Sequence, residues 1–544
     1  MKASELFVKC LENEGVKTIY GVPGEENLDV MDALLDSAIE FVTCRHEQAA
    51  AFMADVHGRL TGRAGVCLST LGPGATNLIT GVADAQLDSA PLVALAGQAS
   101  THRLHKESHQ VLRLVELFKP ISKYSVEILE AENIPEIIRK AFKVAQMARP
   151  GVSFVELPEN IAEKNVEGKF PLKVQSPHVP VPPLQKIEQA AKIISQAKYP
   201  IILAGNDVIR ADACDALVEF AETLNIPVAN TFMAKGVLSS SHRLSLGTIG
   251  LQAHDHVNCG FDTADVVICA GYDLVEYAPV FWNPNRDKKI VHINLMPAEV
   301  DENYILEVGV VGDIGAGLKG IAQKAVPFDK DLSGNLRHAI MAELEAYQAD
   351  TSFPLKPQKI VSDLREVLRP EDMVICDVGA HKMWMARMYQ AEKPNTCIIS
   401  NGFCSMGIAL PGAIAAKRVF PERTVVAVTG DAGVMMNIQD LETAVRIKTP
   451  IIILIWTDRQ YGLIQWKQMV KFRRTSHVDF SNPDFVKLAE SFGAKGYQVM
   501  ASEELVPILE QAILDQTVVL IDCPVDYREN AKLTESLGEV VCPL

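Results

Sequence analysis

Short apolar runs rich in β-branched residues, each followed by a stretch of helical periodicity, recur along almost the whole 544-residue chain. The first are Thr18-Ile19-Tyr20-Gly21, Phe41-Val42-Thr43, Gly65-Val66-Cys67-Leu68-Ser69 and Leu92-Val93-Ala94-Leu95, and helical stretches lie at 3–14, 47–60 and 76–88. Strands this apolar must be covered on both faces, and alternating helices supply the cover. The pattern predicts an α/β fold with parallel sheets. A Pro-rich segment, KVQSPHVPVPPLQ at 173–185, breaks the rhythm and reads as a linker. The rhythm resumes with Ile201–Gly205, Val266–Gly271, Lys289–Ile293 and Val310–Asp313, then pauses over 326–357, where Pro354 and Pro357 stand. It returns from Gln358 with Met373–Asp377, Val425–Val428 and Ile451–Trp456. Three successive doubly wound domains are therefore expected, at 1–172, 186–325 and 358–544, each of ordinary domain size. Sheets of this kind collect ligands beyond the C-terminal ends of their strands, so those loops are where function is sought.

Composition removes several classes of function. The net charge is −16, from 52 basic against 68 acidic residues, and no basic run offers a seat for a nucleic-acid backbone. The uncharged stretches 64–83 and 395–416 are interrupted by Gly, Pro, Ser, Thr and Asn, so neither reads as a membrane span. The N-terminus MKASELFVKCLENEGV lacks the apolar core of a signal peptide. Eleven scattered cysteines without a C-x-x-C pair suit reduced, buried thiols in a cytoplasmic protein. Hydrophobic residues at 48% supply enough apolar surface for more than one core.

The strand at 425–428 runs into Thr429-Gly430-Asp431-Ala432-Gly433 and then a helix. Glycines let the backbone approach an anion, and a helix start supplies N–H donors for phosphate. An aspartate facing phosphate makes sense only with a cation between them. The next strand ends in Thr457-Asp458-Arg459-Gln460, a second strand-end carboxylate 27 residues on, and in a parallel sheet two such loops can be neighbours at one edge. Two hard oxygen ligands beside a diphosphate, completed by a backbone oxygen and water, suit Mg²⁺.

This combination resembles the signature of thiamine-diphosphate-dependent enzymes, with Ala432 in place of the usual third-position glycine. Gly21-Val22-Pro23-Gly24-Glu25, Arg45-His46-Glu47, the Leu71–Asn77 loop preceded by Thr70, and Asn401-Gly402-Phe403-Cys404-Ser405-Met406-Gly407 are similar to further motifs of that family, in the same order. The resemblance spans the chain and narrows to the acetolactate synthase group. The runs ICAGYDLVEYAPVFWN (268–283) and VDFSNPDFVKLAESFGAKG (478–496) are most similar to its FAD-independent, catabolic type.

The resemblance implies a role for each matching residue. Glu47 would share a proton with the aminopyrimidine ring of the cofactor, a task that wants a carboxyl in an apolar setting. Val22, Pro23, Gly24, Thr70, Pro73 and Asn77 would pack that ring. Met406 would be the apolar wedge that keeps the cofactor bent, and the carbonyl of Cys404 would accept from its amino group. Gly430, Asp431, Ala432, Gly433 and His381 would receive the diphosphate. Asp431, Asp458 and the backbone oxygen of Gln460 would bind Mg²⁺. Gln110, in the His109-Gln110 pair, would reach the substrate.

Departures from the family pattern cluster where substrate is chosen. Val111-Leu112-Arg113 follows the His-Gln pair in place of a small residue, an apolar one and Asp. Leu463, Gln465 and Trp466 stand where Met, Ala and Phe-like residues are usual. Many relatives also carry Asn at the position of Asp458. The implied reaction is decarboxylation of pyruvate and carboligation to a second pyruvate, giving 2-acetolactate. The alternative is a 2-keto acid decarboxylase that releases an aldehyde, with longer 2-keto acids as substrates. The central block lacks a G-x-G-x-x-G fingerprint and reads as a unit that packs rather than one that holds flavin. The family's split site implies a homodimer at least, with a homotetramer the common assembly.

Overall fold

The computed structural model describes residues 1–175, 178–251, 254–533 and 542. Each of the three blocks folds around one six-stranded sheet, and every strand pairing inside the sheets is parallel. The first sheet contains β1 (Thr18–Gly21), β2 (Glu40–Thr43), β3 (Gly65–Ser69), β4 (Leu92–Gln98), β5 (Tyr124–Glu127) and β6 (Val152–Pro158), in the order β2-β1-β3-β4-β6-β5. The second contains β7 (Pro200–Ala204), β8 (Val228–Asn230), β9 (Ser245–Thr248), β10 (Val266–Ala270), β11 (Lys289–Asn294) and β12 (Leu306–Val311), in the order β12-β11-β10-β7-β8-β9. The third contains β13 (Met373–Cys376), β14 (Cys397–Ile399), β15 (Val425–Gly430), β16 (Ile452–Thr457), β17 (Lys495–Gln498) and β18 (Val519–Pro524), in the order β14-β13-β15-β16-β18-β17.

The α/β class read from the sequence is the observed one. The patterning did not single out short strands such as Val228–Asn230, Ser245–Thr248 and Cys397–Ile399, whose three or four residues are too few to display a period. Among the described residues no helix is long and apolar enough to cross a membrane.

The first and third units share a core. The Glu47–Thr61 helix is Ala-rich and buries nearly every side chain, because one face meets its own sheet and the other meets the Ala409–Val419 helix. Small residues permit that approach: a Cβ on Gly412 would stand 2.9 Å from Val56 Cγ2. Arg418, at the C-terminal end of one of these helices, pairs with Glu40, and Arg45 N, beside the start of the other, donates to Asp440 Oδ1 at 2.9 Å.

The expectation of reduced thiols throughout is corrected at one pair. Nine cysteines are free, but Cys259 and Cys542 form a disulfide across 283 residues of sequence. No local spacing could have revealed a bond between positions so far apart.

Candidate functional site

The loops that follow β1, β2, β3 and β4 lie along the C-terminal edge of the first sheet. Val22 N donates to Leu68 O at 3.2 Å, tying the Val22-Pro23-Gly24 loop to the end of β3. Gly24 approaches Thr70 so closely that a Cβ there would lie 2.3 Å from Thr70 Cβ. Thr70 Oγ1 in turn donates to Glu26 Oε2 at 2.7 Å. Glu47 opens the Glu47–Thr61 helix and is only 8% exposed. His46 caps that helix by accepting from Gln48 N at 3.1 Å. Asn77 Nδ2 donates to Glu47 Oε2 at 2.9 Å, while a Cβ on Gly74 would stand 3.2 Å from Glu47 Oε1. One carboxylate oxygen is thus pinned, and the other faces the glycine-lined turn before Asn77.

The loop after β4 carries His109, Gln110 and Leu112, all exposed in the single chain. Gln110 adopts a left-handed backbone, φ 58°, and crosses Gly72, where a Cβ would meet Gln110 O at 2.7 Å. This brings the His-Gln pair to the same sheet edge as Glu47. The loop is held from below: Gln98 Nε2 donates to Leu112 O at 3.1 Å and to buried Glu156. Burial is the main reason the Glu156 carboxyl is raised to about 7.

The C-terminal edge of the third sheet holds a cleft of about 190 Å³. Its lining includes His381, Cys404, Met406, Gly430, Asp431, Ala432, Gly433, Asp458, Gln460 and Leu463. These residues come from the loops after β13, β14, β15 and β16, so strand order alone gathers them. Asp431 heads a short helix, and its Oδ2 accepts from Arg459 N at 2.7 Å, Asn482 Nδ2 at 2.7 Å and Asp458 N at 3.2 Å. Burial, and then the charge of Asp431, pushes Asp458 up to about 7. Burial also raises Asp431. His381 is 2% exposed, held neutral by burial that lowers it to about 4, and its Nε2 has no hydrogen-bond partner among the described residues. Cys404 has a left-handed backbone, φ 60°, beside Met406.

Other expected residues lie elsewhere. Gln465 is half-buried, and Trp466, at 6% exposed, packs in the core of the third unit; neither lines the cleft within one chain. Three contributors were not visible in the sequence pattern. Asn482 reaches Asp431 from 51 positions away, Tyr527 lines the cleft, and buried Asp377 accepts from Gly407 N at 2.8 Å. The strand-end position of Asp377 after Met373–Cys376 was the one available signal for it.

Glu47 and the cleft are not brought together inside one chain. Glu47 lies at the start of its helix, and the loop carrying Cys404 and Met406 is bonded to Asp84 and Asp88, which pair with Arg59 near the end of that helix. Twelve helical positions separate Glu47 from Arg59, roughly 18 Å at 1.5 Å per residue.

Comparison with known proteins agrees with this geometry. Residues 1–117 match the model of the thiamine pyrophosphate enzyme N-terminal TPP binding domain, 187–321 that of the central domain, and 377–523 that of the C-terminal TPP binding domain. The chain is 38% identical to an acetolactate synthase of Bacillus subtilis, covering 99% of this chain and 97% of the relative. It is 37% identical to a probable acetolactate synthase large subunit of Methanocaldococcus jannaschii, covering 97% and 93%. It is 35% identical to a catabolic acetolactate synthase of Raoultella terrigena, covering 98% and 97%. Two loop-lined sheet edges, matched end to end by these models and relatives, place the chain in the thiamine pyrophosphate enzyme family, within its acetolactate synthase group.

Proposed function

We propose that this protein decarboxylates pyruvate and joins the resulting two-carbon unit to a second pyruvate, giving 2-acetolactate, with thiamine diphosphate and Mg²⁺ as cofactors. The observation that carries the proposal is the pair of buried Asp431 and half-buried Asp458, carboxylates at adjacent strand ends beside a glycine-lined helix start. Their mutual repulsion, which helps hold Asp458 near 7, is what a divalent cation would relieve. Among the described residues no three or more His, Cys, Asp or Glu side chains gather as a metal site. The donor set therefore needs the backbone oxygen of Gln460 and the diphosphate itself, which suits Mg²⁺ better than a metal held by protein alone. The buried, unpartnered Nε2 of neutral His381 fits a phosphate oxygen as its partner. Gly433 is held to a glycine by its own neighbours, since a Cβ there would press on Asp377 Oδ2 and Thr429 Oγ1 at 3.1 Å.

Bound in this cleft, thiamine diphosphate would supply the electron sink that decarboxylation of a 2-keto acid requires. Asp431, Asp458 and Gln460 would hold Mg²⁺, with Gly430, Ala432 and Gly433 leaving room for the diphosphate. Cys404 and Met406 would set the cofactor's shape, and Leu463 would line the substrate side. Glu47, fixed through Oε2 by Asn77, would hold and release a proton at Oε1. Val22, Pro23, Gly24, Thr70 and Pro73 would pack beside it, and Gln110 would orient the substrate carboxylate with His109 and Leu112 close by. The distance between Glu47 and its own chain's cleft supports a homodimer in which each site takes Glu47 from the other copy, with two dimers forming a tetramer. Domain limits of 1–172, 186–325 and 358–544 and a cytoplasmic location accompany this reading.

Product analysis tests the proposal. Purified protein with Mg²⁺ and thiamine diphosphate should convert pyruvate to 2-acetolactate, detected as acetoin after acid treatment. Free aldehyde from pyruvate or from longer 2-keto acids, without acetolactate, would overturn it in favour of simple decarboxylation.

A further inference from the structure

The wedge loop, Ser400–Gly407, is bonded to an unusual group in the first unit. Arg59, on the Glu47–Thr61 helix, is buried among three carboxylates. It reaches Asp55 at 2.7 Å through Nε, and Asp84 at 2.9 Å and Asp88 at 2.7 Å through a terminal nitrogen. All three aspartates are at most 1% exposed. One cation cannot neutralise three buried anions, and burial, reinforced by the charges of Asp88 and Asp55, drives Asp84 well above the usual carboxylate range.

The missing donors come from the wedge loop. Asp84 Oδ1 accepts from Ser400 Oγ at 2.9 Å and from Ser405 N at 3.2 Å. Asp88 accepts from Asn401 N at 3.2 Å and from Gly402 N. The approach at Gly402 excludes any side chain, because a Cβ there would lie 2.6 Å from Asp88 Oδ1 and 2.7 Å from Leu87 O. Four donors on either side of Cys404 therefore point into a buried acidic cluster. Moving the loop would strip partners from buried carboxylates, a costly change.

We propose that Asp84 and Asp88, set by Arg59, are positioning residues that fix the Cys404–Met406 wedge from the first unit of the same chain. The proposal rests on the reading of Met406 and Cys404 given above, but its physical core, the clamp, can be measured without any cofactor. The chain thereby ties the shape of its cofactor cleft to the packing of two helices whose other ends carry Glu47 and Asn77.

The test compares wild type, Asp88→Ala and Ser400→Ala as full-length proteins. Asp88→Ala leaves Arg59 paired with Asp55 and Asp84 and lowers the crowding of negative charge, so folding is retained; Ser400→Ala removes only one hydroxyl. Hydrogen exchange of the 400–407 peptide without cofactor should accelerate about tenfold in Asp88→Ala and a few-fold in Ser400→Ala, with the 47–53 peptide unchanged. With Mg²⁺ and thiamine diphosphate added, kcat for pyruvate in Asp88→Ala should fall about tenfold while KM stays within about twofold, because positioning rather than substrate binding is lost. Unchanged exchange at 400–407, or equal acceleration across the first unit, overturns the clamp. Faster exchange at 400–407 with wild-type kcat overturns its role in positioning. Exchange behaving as expected in a wild type that turns over no 2-keto acid overturns the proposed function and leaves the clamp in place.

Discussion

Replacing Glu156 by glutamine should remove a specific pH dependence from the first unit. Glu156 lies on β6, 3% exposed, bonded to Gln98, which also holds Leu112 O beneath the loop of His109 and Gln110. Burial, helped by the nearby charge of Glu127, raises its carboxyl from 4.5 to about 7. A raised folded value means that the native state binds more protons than the unfolded chain between these limits. Its stabilising share is full below pH 4.5 and is lost as pH rises through 7. The loss is about 0.8 kcal/mol at pH 5 and about 3.3 kcal/mol at pH 8, a change of about 2.5 kcal/mol, or roughly 70-fold. Glutamine cannot titrate, so the advantage of Glu156→Gln over wild type should grow by that amount. Hydrogen-exchange protection of the strands 92–98 and 152–158 reads it directly. Comparing the two proteins at the same pH cancels intrinsic exchange rates, and any fixed cost of the substitution cancels between pH 5 and pH 8. A protection ratio that is the same at both pH values would refute the reasoning, since the Glu156 carboxyl would then titrate alike folded and unfolded.

The remaining expectations concern the site and the thiols. Glu47→Gln should reduce turnover by at least about 100-fold yet bind thiamine diphosphate within a few-fold of wild type, because it removes a proton-transfer group but no diphosphate contact; near-normal turnover contradicts the role given to Glu47. Asp431→Ala should weaken thiamine diphosphate and Mg²⁺ binding together by at least about tenfold, as titration calorimetry can show, and unaltered affinity would move the metal site elsewhere. Denatured, unreduced protein should present nine reactive thiols, rising to eleven after reduction. Eleven thiols before reduction would mean that Cys259 and Cys542 are not joined in solution.

The sequence made the strand ends legible because a parallel sheet converts position along the chain into position in space. Once β13, β15 and β16 were read from their apolar runs, His381, Asp431 and Asp458 had to emerge at one edge, and they do. The same logic placed Glu47 at the start of a helix after β2. What stayed hidden depends on contacts that no period encodes. Asn482 reaches Asp431 from an irregular segment, and the Asp84–Asp88 clamp is spelled by residues more than 300 positions from their partners. Trp466 illustrates the other limit. A position near a site in sequence lies on a helix, where a shift of one residue turns a side chain by about 100°, enough to carry it from the cleft into the core.

The opposed placement of Glu47 and the wedge loop along one helix has a consequence for inheritance of damage. In the proposed two-fold assembly each chain would contribute halves to two different sites. A chain carrying Glu47→Gln and one carrying Asp431→Ala would each be inactive as homodimers, but joined together they would concentrate both lesions in one site and leave the other whole. Random re-association of equal amounts should thus recover about a quarter of the original sites from two dead parents. In a cell holding both alleles, each would mask the other's defect.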